Sequence, residues 1–194
     1  MGLVSPDAEL PVVLTCLGEG STSQGDFHEA LTWAGVFKLP LIVMVENNLY
    51  AISVPINKQS AVTDVSERAC AYGVTGVSVD GNDFLATYQA MKQAVELARS
   101  GGGTTLLEAK TYRPVPHSSD DDDRSYRTRE EVEEWKKKDP LLRAKLLLME
   151  EGILDDKLSQ EYDERVAAEV NDANTFAEGQ PYPDPEWGMG PVYA

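Results

Sequence analysis

Short apolar runs alternate with amphipathic stretches through the first half of the chain, and this alternation constrains the fold more than any other feature. Strand-like runs at 11–17, 41–45, 74–79 and 104–112 are separated by helical patterns that include 26–37 and 83–100. Strands separated by helices form mainly parallel sheets, because the helices make the crossovers between strands that point the same way. The sequence therefore predicts an α/β fold with a mainly parallel sheet and flanking helices.

The composition changes after Arg113. Prolines, serines and four consecutive aspartates make 114–127 an acidic loop, which we expect to be exposed and mobile because burial would leave its charges unpaired. We therefore predict an α/β domain over 1–127 that includes this loop. A helical extension with a Pro-rich arm follows over 128–194.

Several polar residues precede the helical patterns and predict where helices begin. They are Asp26 with Glu29, Asp83, Thr128 with Glu131, Asp139 with Pro140, and Asp155 or Asp156. We expect the last helix to reach about Val170. The Pro- and Gly-rich end carries Tyr182, Trp187 and Tyr193 and is typical of an extended arm that orders against a partner.

The charge and cysteine content exclude several classes of protein. The formal net charge is -16, so neither nucleic acid nor an anionic membrane surface is an expected partner. Cys16 and Cys70 are far apart and form no C-x-x-C pair, which indicates buried free thiols in a reducing compartment. The segment 1–10 shows no secretory pattern and no apolar run is long enough to span a membrane, so we expect a cytoplasmic protein.

Polar residues follow the first two predicted strands. Glu19 lies between Gly18 and Gly20 after the first strand, and Asn47 and Asn48 follow the second. The carboxyl ends of parallel strands meet at one sheet edge, where such sheets bind ligands. Carboxylate and amide oxygens suit Mg²⁺, which often bridges to phosphates. On spacing alone the motif is weak, because glycines and asparagines are also ordinary turn formers; a generic Mg²⁺ and nucleotide-binding domain also fits.

A long match raises the specificity of this pattern. The segment GEGSTSQGDFHEALTWAGVFKLPLIVMVENNLYAISVP, Gly18 to Pro55, resembles the thiamine diphosphate motif of alpha subunits of 2-oxoacid dehydrogenase decarboxylase components. The resemblance continues through VDGNDFLATYQAMKQA at 79–94 and EAKTYRPVPHSSDDDDRSYR at 108–127. It is strongest to the branched-chain 2-oxoacid members and implies part of the thiamine diphosphate-binding fold.

The resemblance assigns roles to individual residues. It implies that Mg²⁺ is bound by the Glu19 carboxylate, the Asn48 side chain and the Tyr50 backbone carbonyl. The positions implied to bind the cofactor are Gly18, Glu19, Gly20, Ser21, Asn48, Tyr50 and His117. His117 matches the histidine that reaches the reactive end of the cofactor and assists acyl transfer, and Ser118 matches a serine that kinases modify in mitochondrial relatives. His28 we expect to be structural.

The resemblance also implies a reaction and partners. The reaction is oxidative decarboxylation of a branched-chain 2-oxo acid, 3-methyl-2-oxobutanoate above all, with acyl transfer to lipoamide inside a multienzyme complex. The implied partners are a beta subunit, which supplies a glutamate to the cofactor in an α2β2 heterotetramer, and a lipoyl domain. Alpha subunits of this family have a further amino-terminal half that this sequence lacks. We therefore expect either that Met1 opens a truncated product or that a separate chain supplies the missing half. A pyruvate dehydrogenase alpha subunit and a non-catalytic scaffold fragment are the alternatives.

Overall fold

The computed structural model describes residues 11–190, and within them the main sheet has four parallel strands. The strands are β1 (Val13–Gly18), β2 (Leu41–Asn47), β3 (Tyr50–Ala51), β4 (Val54–Pro55), β5 (Thr75–Asp80) and β6 (Thr105–Lys110). The order in the main sheet is β1, β2, β6, β5, while β3 and β4 form a separate antiparallel hairpin. The predicted α/β fold with a mainly parallel sheet is therefore confirmed.

Helices follow the strands and continue beyond the sheet. They are α1 (Gly25–Phe37), α2 (Ile56–Gln59), α3 (Ala69–Tyr72), α4 (Phe84–Arg99), α5 (Arg129–Lys136), α6 (Pro140–Glu150) and α7 (Asp156–Glu178). Short 3₁₀ helices lie at Glu19–Ser23, Val65–Arg68, Asp123–Ser125 and Pro185–Met189. No helix within 11–190 is both long enough and apolar enough to cross a membrane.

The two faces of the sheet bury separate apolar clusters. On one face α1, α3 and the 3₁₀ helix before α3 pack on the sheet through Phe27, Leu31, Val43, Val45, Val65, Ala69 and Leu106. On the other face α4 packs through Ile42, Ala94, Leu107 and Ala109. Successive residues of β2 and β6, such as Ile42 and Val43 or Leu106 and Leu107, enter opposite clusters, as expected for strands whose successive side chains point to opposite faces.

The edge strand β1 corrects the prediction that both cysteines are buried. Within 11–190 the partner strand of β1 is β2 alone, and the β1 residues Val13 to Cys16 are exposed. Cys16 is therefore accessible although it lies in an apolar run. Cys70 is also exposed, because α3 is a single turn that buries its neighbour Ala69.

Most of the predicted helix starts are confirmed by their hydrogen bonds. The side chains of Asp83, Thr128 and Asp155 each accept from a backbone N–H in the first turn of the helix that follows. Asp139 does the same for α6.

The prediction for Asp26 is wrong. α1 begins at Gly25 with Gln24 as its N-cap, so the Asp26 carboxylate lies inside the first turn and accepts from the adjacent Phe27 N–H.

The chain divides into two compact units between Ala144 and Lys145. The first unit contains the sheet. In the second, α7 extends past the predicted end at Val170 to Glu178, and almost all of its residues are exposed. The division into an α/β domain over 1–127 and a helical extension over 128–194 stays a prediction. Trp187 and Tyr182 are exposed as expected, whereas Tyr193 and the segment 1–10 lie outside the described residues.

Candidate functional site

The ends of β1 and β2 bring Glu19 and Asn48 together. The two strands run parallel with Gly18 opposite Glu46, so the residues that follow them emerge at the same edge of the sheet. The backbone N–H of Asn48 donates to Oε2 of Glu19 across 3.3 Å. The acid and the asparagine that the sequence singled out are thus in direct contact.

The Glu19 carboxylate is buried but only half satisfied. Its side chain belongs to a residue that is 2% exposed, and Oε1 has no hydrogen-bond partner among the described residues. An ionised oxygen without a partner is costly to bury, because it loses its hydration and gains nothing in return. A cation next to Oε1 would remove that cost.

The turn after β2 supplies further oxygen atoms. Oδ1 of Asn48 accepts from the Tyr50 N–H at 3.2 Å, and the backbone carbonyl of Tyr50 accepts from Nη1 of Arg113 at 3.4 Å. Leu49 between them has φ of 72°, a left-handed conformation that is unusual for a residue with a side chain. The turn therefore has a specific, strained shape.

The donor set fits a hard divalent cation such as Mg²⁺. Within 11–190 no cluster of three or more His, Cys, Asp or Glu side chains could hold a metal ion. A cation at this edge would instead use one carboxylate, the amide and carbonyl oxygens of the turn, and oxygens from a bound ligand or water. Mg²⁺ is commonly bound in this manner, with one or two carboxylates and substrate phosphates.

An open cleft of about 430 Å³ lies at this edge of the sheet. All seven residues that the sequence singled out line it: Gly18, Glu19, Gly20, Ser21, Asn48, Tyr50 and His117. Gln24, Ala51, Ile52 and Arg113 complete the lining. The chain thus brings together residues from both strand ends, the start of α1 and the acidic loop.

The lack of a side chain has different structural consequences at the two glycines of the motif. A Cβ added at Gly18 would meet no heavy atom within 4 Å, so the backbone there is open to a ligand. A Cβ at Gly20 would lie 2.7 Å from the Cβ of Ala51 in the β3–β4 hairpin. The absence of a side chain at Gly20 is therefore already explained by packing, whereas at Gly18 it is not.

His117 is held at the cleft by contacts within the acidic loop. Its backbone N–H donates to Oδ2 of Asp121 at 2.9 Å, and the Tyr126 hydroxyl donates to the same oxygen. These two hydrogen bonds hold the pKa of Asp121 below its ordinary value. Nη1 of Arg113 lies 3.3 Å from Nδ1 of His117, which must accept because a guanidinium only donates.

The second histidine, His28, lies outside the cleft lining. Its Nδ1 contacts the Tyr72 hydroxyl and its ring packs edge-on against Phe27.

The acidic loop is less exposed than predicted. His117 to Asp120 are exposed, but Asp123 and Arg127 are buried and form an ion pair with Nη2 and Oδ2 2.7 Å apart. Burial is possible because Arg127 neutralises the carboxylate, a pairing that the run of four aspartates did not reveal.

Arg127 also lies over three tyrosine rings that border the loop. Its guanidinium carbon is 5.7 Å from the centre of the Tyr50 ring, 5.4 Å from that of Tyr112 and 5.9 Å from that of Tyr126. Glu131 accepts hydrogen bonds from the Tyr50 and Tyr112 hydroxyls at 2.8 and 3.0 Å. Burial and the bond to Glu131 raise the pKa of Tyr112 to about 12 and that of Tyr50 well above its ordinary value.

Sequence reasoning missed these tyrosine contacts. Glu131 was interpreted as the second member of a capping box, but its carboxylate is used by tyrosines that precede it by many residues. From the sequence, a glutamate three residues after an N-cap threonine looks the same whether it closes a capping box or accepts from distant tyrosines.

Comparisons with known proteins agree with the geometry. A family model described as "Dehydrogenase E1 component" matches residues 7–186. The chain is 55% identical over 177 residues to the "2-oxoisovalerate dehydrogenase subunit alpha" of Bacillus subtilis, covering 91% of this chain and 54% of that protein. The "3-methyl-2-oxobutanoate dehydrogenase subunit alpha" of Mycobacterium tuberculosis H37Rv is 43% identical over 84% of this chain and 45% of its own length.

A relative with a different name also matches. The "Pyruvate dehydrogenase E1 component subunit alpha" of Acholeplasma laidlawii is 42% identical over 86% of this chain and 48% of its own length. The chain thus spans about half the length of the curated relatives it matches. The family match nevertheless covers most of the chain, including both strand ends and the acidic loop, and the chain therefore belongs to the family of dehydrogenase E1 components.

Proposed function

We propose that this chain is the cofactor-binding part of the alpha subunit of a branched-chain 2-oxoacid dehydrogenase. The reaction is the thiamine diphosphate-dependent oxidative decarboxylation of 3-methyl-2-oxobutanoate with transfer of the acyl group to lipoamide. One observation above all supports this function: the buried, unpartnered Oε1 of Glu19 lies beside Asn48 in an open cleft. A cation bound to this oxygen would offset the cost of burying it.

The metal in this proposal is Mg²⁺. Glu19, the side chain of Asn48 and the carbonyl oxygen of Tyr50 would hold it, and the cofactor's diphosphate would supply further oxygens. The chain has a formal net charge of -16, so the cation also provides positive charge that the phosphate needs. Arg113 adds a second positive group at the cleft.

The cofactor in this proposal is thiamine diphosphate. Its bound form supplies an electron sink for the loss of CO2 from a 2-oxo acid. The residues of this chain bind and orient it: the open backbone at Gly18 allows the diphosphate to approach, and Ser21 and Gln24 bring polar groups near the start of α1.

His117 has the role of an acid–base group at the cleft. Because its Nδ1 accepts from Arg113, the ring keeps its proton on Nε2, where it can be given to or taken from a reacting group. Asp121 fixes the backbone of His117, so the loop presents the imidazole in one orientation.

The preference for a branched-chain substrate rests on the relatives. Identity is 55% to the relative named for 2-oxoisovalerate, against 42% to the one named for pyruvate. The proposed partners are a beta subunit, which the name "subunit alpha" of the relatives implies, and a lipoyl domain, which acyl transfer to lipoamide requires. The proposed compartment is the cytoplasm. Pyruvate as substrate and a non-catalytic scaffold role are the outcomes against which this proposal is tested.

The experiment is a decarboxylation assay on the chain purified together with the subunits that accompany it in its own host. With thiamine diphosphate, Mg²⁺ and a lipoyl acceptor, we expect CO2 release from 3-methyl-2-oxobutanoate to exceed release from pyruvate. Glu19→Ala should abolish it, while Glu46→Ala, an exposed glutamate on the neighbouring strand, should not. Preference for pyruvate would correct the substrate, and an assembly that binds no cofactor would favour the scaffold role.

A further inference from the structure

Glu108 is a fully buried carboxylate in the middle of the sheet. It lies on β6 opposite Val45 of β2, is 0% exposed, and follows Leu106 on the face that packs against α1. Alternate residues of a strand share a face, so Glu108 takes a place where the apolar pattern calls for a hydrophobic side chain. The resemblance gives Glu108 no role, and Glu108 does not line the cleft.

Two hydrogen bonds hold this carboxylate. Oε1 accepts from Nδ2 of Asn47 at 2.7 Å, and Oε2 accepts from the backbone N–H of Ser66 at 2.9 Å. The ion pairs among the described residues do not include Glu108. A buried carboxylate without a cationic partner is costly, and two hydrogen bonds offset that cost only in part.

Asn47 transmits this contact to the turn at the cleft. It is 1% exposed, and its Oδ1 accepts from the Leu49 N–H at 3.1 Å. Because Oε1 of Glu108 accepts this hydrogen bond, it holds the amide nitrogen of Asn47 toward itself and leaves the amide oxygen facing Leu49. Glu108 therefore determines which way the Asn47 amide points.

The bond to Leu49 supports the strained part of the turn. Leu49 has φ of 72°, a region that costs free energy for any residue with a Cβ. Its N–H is held by Asn47, and its carbonyl accepts from Ile56 at 2.9 Å. On either side of Leu49 lie Asn48 and Tyr50, the two residues that would offer oxygens to the cation.

We propose that Glu108 is a positioning residue for the cation site, acting through Asn47 on the turn that presents Asn48 and the Tyr50 carbonyl. This inference rests on the proposed function, because it assumes that a divalent cation binds with Glu19. The competing explanation is that Glu108 only stabilises the sheet by linking β6 to β2 and to the 3₁₀ helix at Val65–Arg68.

The donor and the acceptor of the hydrogen bond between Asn47 and Glu108 can be exchanged by substitutions that keep the size and shape of both side chains. In Glu108→Gln the side-chain amide has one accepting oxygen, so either Ser66 or Asn47 faces another donor. In Asn47→Asp two carboxylates face each other. In the double variant the Gln nitrogen donates to the new Asp, the Gln oxygen accepts from Ser66, and the Asp still accepts from Leu49.

The measurement is the dissociation constant for Mg²⁺ in the presence of thiamine diphosphate, by calorimetry on the chain purified together with the subunits that accompany it in its own host. We expect Glu108→Gln to weaken binding about 10- to 100-fold, as is typical when the support of a metal ligand is removed. The double variant should recover the wild-type value. Asn47→Asp alone should weaken binding, although charge alone predicts that an added carboxylate near the cation strengthens it.

Leu107→Ala is the matched control for a purely structural effect. Leu107 lies on the same strand but packs into the opposite apolar cluster, so its loss weakens the sheet without touching Asn47. Urea denaturation of each variant gives the accompanying loss of stability. Leu107→Ala should lower the unfolding midpoint and leave the Mg²⁺ dissociation constant within about twofold.

Four results separate failure of this inference from failure of the proposed function. If the wild-type chain, purified with the subunits that accompany it, binds no Mg²⁺ with thiamine diphosphate, the proposed function is overturned and the role of Glu108 with it. If the wild type binds and Glu108→Gln binds equally well, only the positioning role is overturned. The same holds if Leu107→Ala weakens Mg²⁺ binding as much, or if a stably folded double variant shows no recovery.

Discussion

Nη1 of Arg113 lies 3.4 Å from the backbone carbonyl oxygen of Tyr50, and the same nitrogen lies 3.3 Å from Nδ1 of His117. One guanidinium therefore links the oxygen that we assign to the cation with the imidazole that we assign to proton transfer. Because a carbonyl oxygen has two lone pairs, it can accept from Arg113 and still bind a cation. The cation end and the acid–base end of the cleft are thus connected through a single side chain.

The two glycines of the motif predict opposite outcomes for the same substitution. Gly20→Ala places a Cβ 2.7 Å from that of Ala51, so we expect a loss of about 1–3 kcal/mol in the free energy of unfolding. Gly18→Ala meets no atom within 4 Å and should change stability by less than about 0.5 kcal/mol. It should nevertheless weaken thiamine diphosphate binding, because the methyl group projects where the diphosphate approaches.

Urea denaturation and cofactor titration of both glycine variants test this contrast. Equal affinity for thiamine diphosphate in wild type and Gly18→Ala would show that the diphosphate does not approach the backbone at that residue.

The alkaline limit of stability should reflect the tyrosines bound to Glu131. Tyr112 has a pKa raised to about 12, whereas an unfolded tyrosine titrates near about 10. Its contribution to stability is therefore complete below about pH 10 and is lost as the pH rises through about 12. Tyrosinate absorbance followed against pH should show this late titration.

Glu131→Gln should move that titration to lower pH, because it removes the charge that disfavours tyrosinate. Glu134→Gln, an exposed change on the same helix, is the control and should leave it in place. An identical titration curve for wild type and Glu131→Gln would contradict the assignment.

The loop that carries His117 should loosen in acid. The Tyr126 hydroxyl and the His117 N–H hold the pKa of Asp121 below its ordinary value of about 3.9. The stabilisation is therefore present above about pH 4 and is lost as the pH falls through the lowered pKa. The hydrogen-exchange protection factor of the His117 amide should decrease over that range.

Asp121→Asn should lower this protection at neutral pH as well, while Asp120→Asn, an exposed neighbour, should not. Protection of His117 that is the same in Asp121→Asn as in the wild type would show that another contact orders the loop.

The sequence predicted those features that depend on local pattern. The apolar runs predicted the strands of the main sheet, and the placement of Glu19 and Asn48 after two consecutive strands predicted their meeting at one edge. Both follow from the geometry of parallel strands, which requires no knowledge of partners distant in the chain.

Features that depend on distant partners were not predictable. Cys16 was predicted to be a buried free thiol, but burial depends on whether a strand has neighbours on both sides. The β3–β4 hairpin turns through Ile52 with φ of 56°, and no glycine or asparagine marks that position. Glu108 and Glu131 accept hydrogen bonds from residues far away in the sequence, which only the fold brings next to them.

The central claim is that Glu19 binds a cation that holds a diphosphate. Calorimetric titration of Mg²⁺ with thiamine diphosphate tests it most directly, on the chain purified with the subunits that accompany it. The wild-type chain and Glu46→Gln should bind with the same affinity, because the Glu46 side chain is exposed and does not line the cleft. Glu19→Gln should bind at least about 100-fold more weakly, because it removes the one carboxylate at the site. Binding by Glu19→Gln with wild-type affinity would contradict the account.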